Sequence, residues 1–186
     1  MRLESGLSPE IWVDKYADKL YRYALTRIND TGIAEDIVQE TFLSAWRAKE
    51  TYKGNASEQN WLYAICKNKI IDHFRKQANN IGKPALAEEN IYFDEVGHWR
   101  DEPAPKAWDL NYQQQIETKE FYSIFDMCKK KLKDIQQSVF VMKYLEDMEA
   151  DKICKVLNIT PSNYWVLIHR SKLHLRSCLE KNWIKI

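Results

Sequence analysis

The sequence predicts an all-α protein built as two small helical domains, a three-to-four-helix bundle and a helix-turn-helix bundle, joined by an irregular acidic linker. Three observations predict it. Apolar residues recur every three or four positions through both halves of the chain. Among 186 residues there are only five Gly and five Pro against seven Trp and ten Tyr, which leaves few places for the tight turns of a sheet protein. The helical period then lapses from Asn79 to about Asn111, so the expected division is 8–78, 79–112 and 113–184.

Ser8-Pro9-Glu10 reads as a helix start, with a capping hydroxyl, a proline where its missing N–H does no harm and an acid in the first turn. Val13, Tyr16, Leu20, Ala24 and Ile28 then lay one apolar stripe to the end of a first helix. Asn29-Asp30-Thr31-Gly32 breaks the pattern. The second helix carries Ala34, Val38, Thr41 and Ala45 on one side, with Ile37, Phe42 and Trp46 close by and Glu35, Asp36 and Glu40 left for solvent or a partner. After the turn-rich stretch 51–57, Ser57 can cap a third helix running to about Lys76. Its inner face is Leu62, Ile65, Cys66, Ile70 and Phe74, while Lys67, Lys69, Arg75 and Lys76 against Asp72 give a local charge of +3.

The linker contains Pro84, Pro103 and Pro105 among Glu88, Glu89, Asp94, Glu95, Asp101, Glu102 and Asp109. Trp99 and Trp108 depart from its polar character and are expected to pack back on one of the domains. Helical period resumes with Ile116 to Lys131, which holds Phe121, Ile124, Phe125 and Cys128. Asp134 is placed to cap the next helix, with Gln137 at the capping-box distance and Ile135, Val139, Met142 and Leu145 facing inward.

From Glu149 to Leu157 a short helix turns Ala150, Ile153 and Leu157 inward, and Asn158 is suited to the left-handed conformation that ends it. Ile159 buries the turn. Thr160-Pro161 restarts a longer helix with Tyr164, Ile168, Leu175 and Leu179 on its buried face, completing a helix-turn-helix. The amino-terminal end of such a second helix enters the major groove, which would present Ser162, Asn163, Val166 and Arg170 to duplex DNA. Asn163 could pair with adenine and Arg170 could reach phosphate. Arg170, Lys172, Arg176, Lys181 and Lys185 against Glu180 give this end of the chain a local charge of +4.

Net charge is only +1, so any attraction to nucleic acid must come from these local placements. No apolar leader opens the chain and no stretch approaches a membrane span, so a cytoplasmic protein is expected. Cys66, Cys128, Cys154 and Cys178 form no C-x-x-C pair and are expected to be reduced core thiols, with a metal site on His174 and Cys178, helped by His169, as the lesser alternative. No Gly-rich phosphate loop, H-E-x-x-H or G-x-S-x-G motif is present, so no catalytic residue, cofactor, metal or small-molecule substrate is expected.

Two segments give this pattern a family. Ala34 to Arg47 (AEDIVQETFLSAWR) closely resembles the region of extracytoplasmic-function sigma factors that docks on the clamp helices of the large RNA polymerase subunit. Trp61 to Arg75 (WLYAICKNKIIDHFR) resembles the next family segment, which binds and opens the -10 promoter element. Asp134 to Arg176 is similar to the family's -35 reader, including Ile159-Thr160 at the turn and the pair His169-Arg170. Trp165-Val166-Leu167 departs from the basic run usual there.

The resemblance implies a sigma factor that binds core polymerase through Glu35, Asp36, Gln39, Glu40, Phe42 and Trp46. It implies -10 contacts from Trp61, Tyr63, Lys67, Asn68, His73, Arg75 and Lys76, combining stacking surfaces with cations, and a flipped base held by the loop 53–60. Trp61 also opens the apolar stripe and is expected to serve the core. The -35 contacts would be Ser162, Asn163, Val166, Arg170, Lys172 and Arg176. Partners implied are core RNA polymerase, at its clamp helices and flap, promoter DNA and an anti-sigma factor, with the linker following the RNA exit path. The competing reading is a free-standing helix-turn-helix regulator that binds duplex DNA unaided.

Overall fold

A computed structural model describes residues 7–81 and 118–184, and every described element is helical. Trp99, Trp108, Ile116, Lys185 and the acidic linker residues lie outside the described residues. A single 3-10 turn, Pro9–Ile11, leads into α1 (Trp12–Ile28), so Ser8 does not cap the helix with its side chain. The stripe that α1 buries is Trp12, Tyr16, Leu20, Ala24 and Ile28, spaced by four throughout. Val13, expected in that stripe, is 60% exposed, because a step of four back from Tyr16 falls on Trp12.

Asn29 ends α1 in the left-handed conformation, and the Asp30 carboxylate accepts from the Ile33 N–H at 2.9 Å to start α2 (Thr31–Ala48). α2 buries Ala34, Ile37, Val38, Thr41 and Ala45. Ser57 caps α3 (Glu58–Ile81), accepting from the Asn60 N–H at 3.2 Å, and the helix runs five residues past the expected end at Lys76. Leu62, Cys66, Ile70 and Phe74 close the three-helix core.

The second domain comprises α4 (Thr118–Lys130), α5 (Asp134–Tyr144), α6 (Ala150–Leu157) and α7 (Pro161–Leu179), with Glu180–Ile184 widening into a π-helical turn. Asn158 closes α6 in the left-handed conformation, and Thr160 caps α7 by accepting from the Asn163 N–H at 3.2 Å. Asp134 does not cap α5: Lys133 occupies the cap position and makes no side-chain bond there. The expected capping box is absent because the cap falls on Lys133, one residue early, which leaves Gln137 a position too far along, and its side chain is used elsewhere. Its amide donates to the Arg27 and Ile28 carbonyls at 3.3 and 3.1 Å, satisfying the open carboxyl end of α1 in the other domain.

Cysteine usage also differs from the reduced-thiol expectation. Cys66 and Cys154 are free and buried, but Cys128 on α4 and Cys178 on α7 are joined in a disulfide, set among Leu132, Phe140, Leu175 and Leu179. The bond removes Cys178 as a thiolate ligand, so the His174–Cys178 metal alternative fails at its sulfur.

The domains are packed together. α3 lies against α5 and α6, and one apolar cluster runs from Leu20, Cys66 and Ile70 of the first domain into Val139, Met142 and Ile153 of the second. Around it is a polar rim, in which Lys129 donates to the Thr26 carbonyl and Ser138 donates to Gln77 at 3.3 Å.

Candidate nucleic-acid interface

The outer face of α2 is acidic and partly apolar. Glu35, Asp36, Gln39 and Glu40 are exposed, Phe42 is half-buried, and Leu43 and Trp46 stand 57% and 54% exposed. Trp46 is therefore a surface ring, covered on one face by the Lys49 ammonium 3.5 Å from its centroid. Glu40 is engaged by Lys69 of α3 at 3.4 Å.

The seven α3 candidates divide into three groups. Asn68, Arg75 and Lys76 are exposed, with Arg75 held to Asp72 at 2.7 Å. Trp61 packs against Trp12 and Tyr52, with ring centroids 6.0 and 5.0 Å away, and so serves the core as expected. Tyr63, Lys67 and His73 are partly buried. Tyr63 sets its ring edge-to-face with Tyr23 at 5.1 Å. His73 is held below the ordinary imidazole range by burial, an effect that Asp30 and Asp134 oppose and Lys76 reinforces.

Lys67 reaches Glu146, which the sequence reading passed over. Glu146 is 5% exposed and also accepts from Tyr23 at 2.8 Å and from Arg27. Burial, first, and the bond to Glu146 hold the Tyr23 phenol well above its ordinary range. Asp147 makes this possible by adopting a positive φ of 50°, which a short polar residue tolerates, so that the chain folds back and the Glu146 N–H bonds to the Val141 carbonyl at 3.0 Å. The two acids Glu146 and Asp147 between Leu145 and Met148 are the trace of this in the sequence, and a buried carboxylate is not what an acid in a turn ordinarily signals.

Glu58 was passed over as well. Its carboxylate accepts from the Ser8 N–H and Trp12 Nε1 at 2.6 Å each and from the Tyr16 hydroxyl at 2.9 Å. Burial alone would raise its pKa, but the three donors outweigh it and hold the group below the usual carboxylate range. It pins the start of α1 to the start of α3.

On α7, Ser162, Trp165 and His169 are exposed, Asn163, Val166 and Arg170 half-buried, and Lys172 exposed beside Tyr144. Trp165, at 64%, is the most exposed large apolar side chain among the described residues, on the helix expected to face DNA. Arg176 is paired with Glu180 at 2.9 Å. The leading turn of α7 thus offers hydroxyl, amide and indole groups, with its cations set further along the helix.

Residues 12–80 match the family model described as Sigma-70 region 2, and residues 122–175 match that of Sigma-70, region 4. The chain is 32% identical over 182 residues to a probable RNA polymerase sigma factor of Haemophilus influenzae, covering 96% of this chain and 93% of that protein. It is 28% identical over 170 residues to the ECF RNA polymerase sigma factor SigW of Bacillus subtilis, covering 90% of this chain and 86% of SigW. The chain belongs to the extracytoplasmic-function sigma factors.

A sigma factor of this family directs RNA polymerase to promoters, and sigma factors as a class are non-enzymatic initiation factors. Among solved structures, the sigma factor RpoE of Bartonella quintana in complex with the anti-sigma factor NepR aligns with TM-score 0.45 and 14% identity, over 93% of this chain and 97% of that one. CnrH in complex with the cytosolic domain of CnrY aligns with TM-score 0.43 and 17% identity, over 94% and 88%. No helix among the described residues is long and apolar enough to cross a membrane.

Proposed function

We propose that the two domains divide the work of initiation as 8–78 and 113–184, with 79–112 as a linker between them. The first domain docks on the clamp helices of core polymerase through Glu35, Asp36, Gln39, Glu40, Phe42 and Trp46. It takes the -10 element on α3 through Trp61, Tyr63, Lys67, Asn68, His73, Arg75 and Lys76. The second domain meets the polymerase flap and reads the -35 element through Ser162, Asn163, Val166, Arg170, Lys172 and Arg176. The factor works in the cytoplasm, where its polymerase is, performs no catalysis and needs no cofactor, and an anti-sigma factor restrains it.

The observation that carries this reading is the outer face of α2: exposed acids beside exposed Leu43 and Trp46 combine charge complementarity with apolar anchors, as interface hot spots do. The test is size-exclusion co-elution with sigma-free core polymerase, run beside the factor with duplex promoter DNA alone. Co-elution with polymerase and not with free DNA is expected; the reverse would make this an autonomous DNA-binding regulator.

A further inference from the structure

The disulfide of the second domain opens onto a cationic cleft. α4 and the far end of α7 meet over a small core of Leu132, Phe140, Leu175 and Leu179, which the Cys128–Cys178 bond joins. Both cysteines line a cleft of about 220 Å³, and Lys131, His174 and Lys181 rim it with basic nitrogen. No carboxylate lines it. The two lysines are exposed, and among the described residues neither ammonium is paired with an acid. A small core needs a covalent tie for stability, but it does not need that tie surrounded by cations.

The two sulfurs are not equivalent. Cys128 is 1% exposed whereas Cys178 is half-buried, so an incoming thiolate meets Cys178 first. Attack there forms a bond from the incoming sulfur to Cys178, breaks the Cys128–Cys178 bond and leaves the electron pair on Cys128, which takes up the proton that the incoming thiol gave up. A second thiolate then attacks the incoming group's own sulfur and carries it off as a small-molecule disulfide. That leaves the pair on Cys178, which takes the second proton. Two thiols are oxidised and one protein disulfide is reduced, and every step runs in reverse when the small-molecule disulfide is in excess. Asn182 is placed to receive the charge on Cys178: its amide donates to the Cys178 carbonyl at 2.7 Å and to the Cys178 sulfur at 3.5 Å. The lysines act earlier, since positive charge around the bond gathers anionic thiolate and stabilises the thiolates released.

We propose that the Cys128–Cys178 bond is a reversible thiol–disulfide exchange site whose cationic cleft takes a small anionic thiol, and that its state sets how firmly α7 is anchored to α4. A disulfide in a cytoplasmic protein faces a reducing thiol pool, where such bonds are made and broken and not simply kept. Cys66 and Cys154, both buried and free, take no part. α7 carries the proposed -35 contacts, so its anchorage is what the exchange regulates. That regulatory role rests on the cytoplasmic placement and on the reading of α7; the chemistry of the cleft and the anchorage rest on neither.

The test uses the oxidised full chain and three small thiols of similar size and different charge: mercaptopropionate, mercaptoethanol and cysteamine. Alkylation and mass spectrometry follow the opening of Cys128 and Cys178, and each rate is divided by that of the same thiol on hydroxyethyl disulfide, which cancels differences in thiolate fraction and nucleophilicity. At low salt the anionic thiol should react roughly tenfold faster than the neutral one and the cationic thiol slower, with the spread shrinking as salt screens the cleft. The double variant Lys131→Gln, Lys181→Gln should bring the three rates together while its oxidised chain keeps the helical circular dichroism and melting temperature of wild type. Hydrogen exchange should quicken in α4 and the last turns of α7 when wild type is reduced, with α1, α2 and α3 unchanged. Equal rates for the three thiols, or a charge preference that survives the loss of both lysines, overturn the cleft as the thiol's site. Exchange that reduction leaves unchanged overturns the anchorage, and a chain that oxidised glutathione cannot close into the disulfide overturns the proposal outright. None of these results depends on where the factor works or on which DNA it reads, so they leave those readings standing.

Discussion

Lys67 grips Glu146 twice: its ammonium donates to the backbone carbonyl at 2.8 Å and meets the carboxylate at 3.0 Å. The pair joins residues 79 positions apart and bridges the two domains. Removing Lys67 leaves the Glu146 carboxylate still held by Arg27 and Tyr23, whereas removing Glu146 takes the shared carboxylate from both cations, so the two single changes are unequal. In urea unfolding, a double-mutant cycle of Lys67→Met and Glu146→Gln should give a coupling energy of about 1 kcal/mol, the low side of the usual range because Lys67 keeps partial access to water. Simple additivity would show that the two do not interact.

Glu58 makes the first domain acid-sensitive. Its folded pKa lies below its unfolded one, so the unfolded chain binds the proton first, and the stability it supplies is full above the ordinary carboxylate value of about 4.3 and lost as pH falls through the folded value. Melting temperature followed from pH 7 to pH 3 should fall less steeply in Glu58→Gln than in wild type, from a lower starting point. Parallel curves would remove Glu58 as the source.

His73 acts in the same direction at a higher pH. Its folded pKa is depressed by burial, so it contributes stability above the ordinary imidazole value of about 6.5 and loses it as the ring charges on acidification. Proton NMR titration of the ring should give a midpoint below that value, and His73→Phe should flatten the stability profile between about pH 5 and 7. A midpoint at or above the ordinary value would contradict the burial.

The disulfide between Cys128 and Cys178 closes a loop with a sequence separation of 50. Chain-entropy arithmetic for a loop of that size gives a stabilisation of about 4 kcal/mol. Reductant, or Cys178→Ser, should lower the melting temperature of the second domain, and mass spectrometry after alkylation should find Cys128 blocked before reduction and labelled after it. Labelling of Cys128 in the folded protein without reductant would show the bond unformed.

Asn163 is the proposed base-reading side chain on α7. Losing a bidentate contact costs about 1–3 kcal/mol of discrimination, so Asn163→Ala should relax the -35 preference in footprints while leaving core polymerase binding intact. An unchanged preference would move base reading to another residue, with exposed Trp165 the first to try.

Most helices were legible because each buries a stripe against its own neighbours: the Asn29-Asp30 break, the Ser57 cap, and the Asn158 and Thr160 ends all lie where local chemistry puts them. Legibility failed where a side chain answers to the other domain. Gln137 satisfies the capping-box spacing yet spends its amide on α1, and Glu146 looks like a solvated turn acid yet is buried by three donors. Local pattern carries no information about partners a hundred residues away. The Cys128–Cys178 pairing lies within the second domain and was hidden because nothing in the spacing of the two cysteines brings α4 beside α7.

The exposed indoles have a practical consequence. Trp46 stands on the outer face of α2 and Trp165 on the leading turn of α7, each more than half in water, while Trp12 is sealed in the core. Fluorotryptophan incorporated throughout the chain would therefore give resonances that report separately on the two outer faces, with Trp12 as an internal reference. Shielding of the Trp46 signal would time the arrival of one partner, and of the Trp165 signal the arrival of another, so the order in which a promoter complex assembles can be read from the native residues without attaching a dye.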